Sequence, residues 1–188
     1  MKPQIALETI LFQYKYLPFI GGWLLTGHVK IPENDQTKRN ELFHTYVPNK
    51  GDIKDLGLAG KGNFLLDVQY FKQLRSFTGY TEVRLYCKRD RIIDTVITVD
   101  DQIYKFMTGE ESNFDYCSKT LRFLKDDTSL LSKQPCGVLR GSHHYPGNGV
   151  YGSLLYVGSQ YHVLLVAGRM ECDDFDLVNL GEWKYYLR

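Results

Sequence analysis

The chain carries none of the short motifs that mark a catalytic centre. There is no G-x-S-x-G, no H-E-x-x-H, no P-loop and no G-x-G-x-x-G ahead of a helix. The glycine-rich run 57–62 lacks the G-K-[ST] that would hold phosphate and magnesium. A Cys/His pair such as Cys136 with His143 has no supporting spacing. An enzyme is therefore not expected. Basic residues are equally sparse as blocks: the formal net charge is +1, and Lys38-Arg39 and Lys88-Arg89 are too short to make a nucleic-acid patch in sequence. No uninterrupted apolar run of about 18 residues exists, which argues against membrane insertion. Repeats, low-complexity tracts and N-x-S/T sequons are also missing.

Cysteine is scarce and dispersed. Cys87, Cys117, Cys136 and Cys172 never form a C-x-x-C pair, so a structural zinc site is not indicated. An even number of separated cysteines fits two disulfides in an oxidising compartment, in any of three pairings. Four buried free thiols in a cytosolic domain are the competing reading. The first residues, MKPQIALETILFQYKYLPFIGGWLL, are interrupted by Glu8, Gln13 and Lys15 and lack a signal peptide's continuous apolar region and cleavage site. Either the protein is cytosolic, or this is a piece of a longer secreted chain.

What is present is the composition of a globular protein: 188 residues, 43% hydrophobic and 24% charged. The length suits one domain, with residues 1–20 as an extension packing on it or leading into it. The 14 tyrosines suit a strand-rich fold or a recognition surface, because tyrosine joins a large apolar face to a polar tip.

The stretch 57–87 organises the rest. Its glycines make a loop, Asp67 is placed to cap a helix, and Val68, Phe71 and Leu74 share one helical face. Gly79 sits where a left-handed residue would end that helix. From Tyr80 the period becomes two, with Thr81, Val83, Leu85 and Cys87 on one side and Tyr80, Glu82, Arg84 and Tyr86 on the other. Further strands are expected at Trp23 to Val29, at Ile93 to Val99, and at 102–107 after an Asp100-Asp101 turn. Cys117 to Leu124, Val150 to Val157 and Tyr161 to Ala167 read the same way. The terminal segment 182–188 alternates Trp183, Tyr185 and Leu187 against Lys184, Tyr186 and Arg188. Residues 31–40 read as a surface loop, 88–91 as a charged turn and 125–149 as a long irregular region.

Several of these pieces, in this order, resemble a known family. Gly21-Gly22-Trp23 leading into a strand resembles the GGW start of fibrinogen-related C-terminal domains. Gly62-Asn63-Phe64-Leu65-Leu66-Asp67, a helix ending in Leu74, and Gly79-Tyr80-Thr81-Glu82-Val83-Arg84 are similar to the family's G-E-F-W-L-G, helix, G-x-Y-E-L-R-V stretch. Trp183 to Arg188 resembles its terminal strand. The resemblance covers residues 21–90 and 180–188. It implies an α+β fold, with a central twisted antiparallel sheet, few short helices and long loops. It also implies an extracellular, lectin-like role toward glycans or glycoproteins, sometimes with calcium. The chain departs from the family in having no D-x-D-x-D run, and in the wide spacing of Cys117 and Cys136.

Two groups of residues are candidates for binding. His143, His144, Tyr145, Asn148 and Tyr151 place imidazole, amide and phenol groups on a glycine-rich loop, the set that meets sugar hydroxyls and the C–H face of a sugar ring. A plain solvated loop and a metal site are the other readings. Asp173 and Asp174, with Glu171 and Asp176 beside them, and the pair Asp126-Asp127 offer carboxylate oxygens to calcium. A solvated acidic turn at 171–176 and a turn or helix cap at 126–129 are the simpler readings. The alternative role is a structural head that oligomerises or docks a longer extracellular protein, supported if residues 1–20 expose apolar side chains.

Overall fold

A computed structural model describes residues 22–31, 56, 63–108, 110, 121–133, 163–166, 169–172 and 180–188. Among them, strands run over Leu24–Ile31 (β1), Phe64–Leu65 (β2), Glu82–Lys88 (β3), Ile92–Thr98 (β4), Leu121–Phe123 (β5), Val163–Val166 (β6), Arg169–Cys172 (β7) and Gly181–Leu187 (β8). Helices occupy Val68–Thr78 (α1), Asp101–Met107 (α2) and the single turn Leu130–Lys133 (α3). Six strands form one antiparallel sheet in the order β2-β1-β8-β3-β4-β5, and β6 and β7 form a separate two-stranded ribbon.

The C-terminal strand is inserted in the middle of the sheet. β8 pairs with β1 from Leu24↔Leu187 to Ile31↔Gly181 and with β3 from Val83↔Leu187 to Lys88↔Glu182. Because directly paired residues share a face, one set of alternate residues from all three strands points the same way. Val29, Ile31, Val83, Leu85, Cys87, Trp183, Tyr185 and Leu187 are all buried. They join Phe71 and Leu74 of α1 and Ile103 and Met107 of α2 in one core cluster. Each such large side chain, fully removed from water, contributes about 1.5–3 kcal/mol before the entropy of ordering is subtracted.

Local chemistry accounts for the ends of α1. Asp67 Oδ1 accepts a 2.9 Å hydrogen bond from Gln69 N–H, satisfying one orphan donor of the first turn. At the other end Gly79 takes φ 62°, and its N–H donates to Arg75 O at 2.9 Å. Only glycine adopts that left-handed conformation at little cost. A different demand falls on Gly27, beside the register shift between Leu25 and Gly27 in β1. A Cβ there would lie 2.5 Å from Leu65 Cδ1, so the lack of a side chain is what lets β2 pack so close.

Among the described residues most of the expected elements are present, with corrections, one of them the helical turn Leu130–Lys133 inside the region 125–149 expected to be irregular. Residues 102–107 are not a strand. Asp100 Oδ1 accepts from Ile103 N–H at 2.8 Å, and Ile103 and Met107, four residues apart, both enter the core. The Asp100-Asp101 pair thus opens a helix instead of turning a hairpin, because a capping oxygen and an i, i+4 apolar pair outweigh a weak turn signal. Tyr80 does not share the outer face of Glu82, Arg84 and Tyr86, and Thr81 is exposed, not buried with Val83, Leu85 and Cys87. Tyr80 precedes β3, is 3% exposed, and its hydroxyl donates to Phe71 O at 3.4 Å. Burial pushes its phenol well above the usual tyrosine range. Within 117–124, strand geometry is confined to Leu121–Phe123. Finally, β1 runs on through Lys30 and Ile31, where a loop beginning at Ile31 was expected. Asn63 Oδ1 accepts from Lys30 N–H at 2.8 Å and extends the strand by one more backbone partner.

Cys87 of β3 and Cys172 of β7 form a disulfide across 85 residues of sequence, attaching the ribbon to the apolar side of the sheet. Of the two links expected from four cysteines, this one lies among the described residues. Cys117 and Cys136 lie outside the described residues, as do the segments 1–20 and 150–157.

Candidate functional site: the polar face of the sheet

The residues between the core positions of β1, β8, β3 and β4 build a second surface. Register places His28, Lys184, Tyr86 and Asp94 in one row across four strands, and Lys30, Glu182, Lys88 and Ile92 in the next. Tyr186, Arg84 and Val96, with Arg122 of β5, make a third. An ordinary antiparallel sheet packs one face and leaves the other to water. Here the second face is half-buried over its middle, and its charges are organised into pairs.

Glu182 is the hub of the first group. Its Oε1 lies 3.0 Å from His28 Nε2 and 3.1 Å from Lys184 Nζ. Burial opposes ionisation of the Glu182 carboxyl, yet the hydrogen bonds from Lys184 and His28 together hold it below the ordinary glutamate value. An ionised carboxylate can only accept, so the imidazole presents its hydrogen on Nε2. The Lys184 ammonium also sits 5.2 Å from the centre of the Tyr86 ring, within cation–π range.

Asp94 is the hub of the second. It is fully buried, and Arg84 grips it with both arms of its guanidinium, Nε to Oδ1 at 2.7 Å and Nη2 to Oδ2 at 2.5 Å. A buried carboxylate is tolerated only with such a partner. Burial still raises the Asp94 carboxyl above its ordinary value, against the pull of Arg84, and the neighbouring Asp126 carboxylate pushes the same way. The hydrogen bond to Asp94 in turn keeps Arg84 charged. The Arg84 guanidinium lies 5.4 Å from the Tyr186 ring centre. Burial raises both Tyr86 and Tyr186 above the usual phenol value, with nearby carboxylates adding to the effect. Both hydroxyls therefore stay protonated at physiological pH and can donate as well as accept.

The turn after β5 supports this arrangement from the side. Asp127 Oδ2 accepts from Asp94 N–H at 2.8 Å, while its Oδ1 accepts from Ser129 N–H at 2.9 Å and from the Ser129 hydroxyl at 2.6 Å. Ser129 Oγ then accepts from Ser132 N–H at 3.2 Å, starting α3. Asp127 thus serves as turn and cap acceptor with three donors on its carboxylate. Asp126 is exposed beside it. Among the described residues, no three His, Cys, Asp or Glu side chains converge as metal ligands would. With its carboxylate taken up by these three donors, Asp127 does not fit a cation. Asp173 and Asp174 lie outside the described residues, and so do His143, His144, Tyr145, Asn148 and Tyr151.

The groups that do converge were only half visible in the sequence. Alternation places Arg84 with Tyr86, and Lys184 with Tyr186, on the outer sides of their own strands. It carries no information that β3 and β8, nearly 100 residues apart, are neighbours in register. Within the strand expected at Ile93 to Val99, Asp94 stands in the sequence only as an isolated polar residue; its partner ten residues earlier becomes evident only when the β3–β4 hairpin is formed. No family model matches the chain, and no curated protein or solved structure matches it.

Proposed function

We propose that this is an extracellular recognition domain that binds carbohydrate without catalysis, on a fibrinogen-related α+β scaffold. The observation that carries the reading is the half-buried polar face. Two tyrosines that keep their hydroxyl protons stand among side chains held rigid by paired hydrogen bonds. Sugar rings present C–H faces that stack on aromatic rings and hydroxyls that pair with planar polar groups, and this surface offers both on a fixed backbone. Preorganisation matters because a weakly binding ligand cannot also bear the cost of ordering its site.

Two further features fit. The resemblance to fibrinogen-related domains rests on the strand after Trp23, the stretch 62–84 and the closing strand, and these segments are neighbours in the six-stranded sheet. The Cys87–Cys172 disulfide suits an oxidising compartment, and supports secretion. The alternative of a structural or oligomerising head rests on residues 1–20, which lie outside the described residues.

Glycan-array binding of the purified domain, in calcium and again in EDTA, tests the proposal. Binding in both buffers is the expected result for a site made of these side chains. Binding lost in EDTA keeps the lectin reading but moves the site to Asp173 and Asp174 with their neighbours. Failure to retain any glycan in either buffer removes carbohydrate recognition and leaves the structural head.

A further inference from the structure

One end of the polar face carries more positive charge than the chain as a whole prepares one to expect. Lys30 of β1, Glu182 of β8 and Lys88 of β3 are consecutive partners in register, so they lie side by side on one face. Strand spacing puts the two lysine Cα atoms roughly 10 Å apart with the glutamate between them. Both lysines are exposed. Glu182 cannot neutralise them all, because its Oε1 already receives Lys184 and His28. Three lysines therefore share the neighbourhood of one glutamate, in a chain whose total formal charge is only +1. Tyr86, in the next row, adds an aromatic ring beside them.

We infer that this end of the face binds an anionic sugar, one bearing sulfate or carboxylate groups. The inference rests on the carbohydrate reading above and adds to it a site, Lys30, Lys88 and Lys184 with Tyr86, and a charge class. The argument is charge complementarity. Exposed ammonium groups gathered on one side of a low-dielectric sheet raise the local concentration of anions, and their attraction is screened by salt. A neutral sugar could take only ordinary hydrogen bonds from Lys30 and Lys88, whereas sulfate or carboxylate groups gain charge-assisted ones. Nucleic acid is less well served, because it calls for a basic stripe along many phosphates, whereas the arginines farther along this face, Arg84 and Arg188, are already engaged by Asp94 and Glu82.

Fluorescence anisotropy with labelled heparin oligosaccharide, hyaluronan oligosaccharide, dextran and single-stranded DNA of matched length tests it. The expected result is binding of heparin, hyaluronan or both in preference to dextran and DNA, weakened strongly at about 0.5 M salt. The double variant Lys30→Ala/Lys88→Ala should weaken that binding by roughly five- to tenfold, since two exposed charge contacts are removed. Lys105→Ala, at an exposed position on α2 on the other side of the sheet, should leave it unchanged. Thermal melts of all variants check that the fold is retained, and Lys88→Glu gives a second variant with a larger expected loss. Binding of neutral sugars alone, indifferent to the lysine variants, overturns this inference and leaves the carbohydrate reading standing. Tighter binding of DNA with the same lysine dependence overturns it in favour of a nucleic-acid partner. If no sugar binds, both fall together.

Discussion

The two faces of the central sheet are made by the same strands, yet they hold together by different physics. On one, Trp183, Tyr185, Leu187, Val83, Leu85 and Val29 meet α1 and α2, and stability is a matter of apolar area and close packing. On the other, Glu182, Lys184, Arg84 and Asp94 reach into partial burial only because each charge has found its opposite. The first face tolerates approximate solutions of the right volume. On the second, loss of one member leaves its partner without a counter-charge, at a cost that grows with burial. That asymmetry gives the fold's bulk stability to the apolar face, and it is the paired polar face on which the proposed recognition is placed.

The contrast is broken most severely on the apolar side. Trp183→Ala removes a fully buried side chain from the central strand and is expected to cost about 3–5 kcal/mol in urea unfolding. Tyr186→Ala, three residues on and on the polar face, should cost about 1 kcal/mol, consistent with a half-buried ring and a lost cation–π contact. Equal losses at the two sites would mean that the faces are not distinct in the way described.

The next largest effect belongs to the Cys87–Cys172 link. Replacing both cysteines by alanine frees a loop of 85 residues and should destabilise by about 2–5 kcal/mol, measured by thermal or denaturant unfolding. The expected change is structural, since both sulfurs are buried. No loss at all would place the ribbon outside the cooperative unit.

The smallest effect sharpens the comparison within the polar face. The Glu182 carboxyl is depressed in the folded protein, so its contribution is present above the ordinary glutamate pKa and is lost as pH falls through the lower folded value. Asp94 is raised, so the sign reverses: its charge opposes folding as pH rises from the ordinary aspartate value through the higher folded one. Glu182→Gln should therefore lower stability at neutral pH by about 0.5 kcal/mol, a half-exposed pair's share, and by less in acid. Asp94→Asn should differ from the native protein in the opposite pH sense. Unfolding series between acid and neutral pH would show the two difference curves sloping apart; parallel slopes would remove the distinction.

Much of the scaffold could be read from the residues in order. The Asp67 cap, the Gly79 stop, and the alternations in β3 and β8 are local, with periods and capping residues that act over a few positions. The misreading of 102–107 came from the same locality. Six residues with two apolar anchors suit either a strand or a short helix, and the core against which Ile103 and Met107 pack decides.

The sequence by itself determined which residues of each strand would turn inward and which outward, because a pleated strand alternates by covalent geometry. It also determined where α1 begins and ends, through hydrogen bonds made within one turn. Only the tertiary structure decided which outward residues would meet. The closing strand enters between β1 and β3, bringing Lys184 to His28 and Tyr86, and Glu182 between Lys30 and Lys88. Partners separated by about 100 residues or more leave no periodic trace, since their pairing is selected by the shared apolar face behind them and not by the charges they bring together in front.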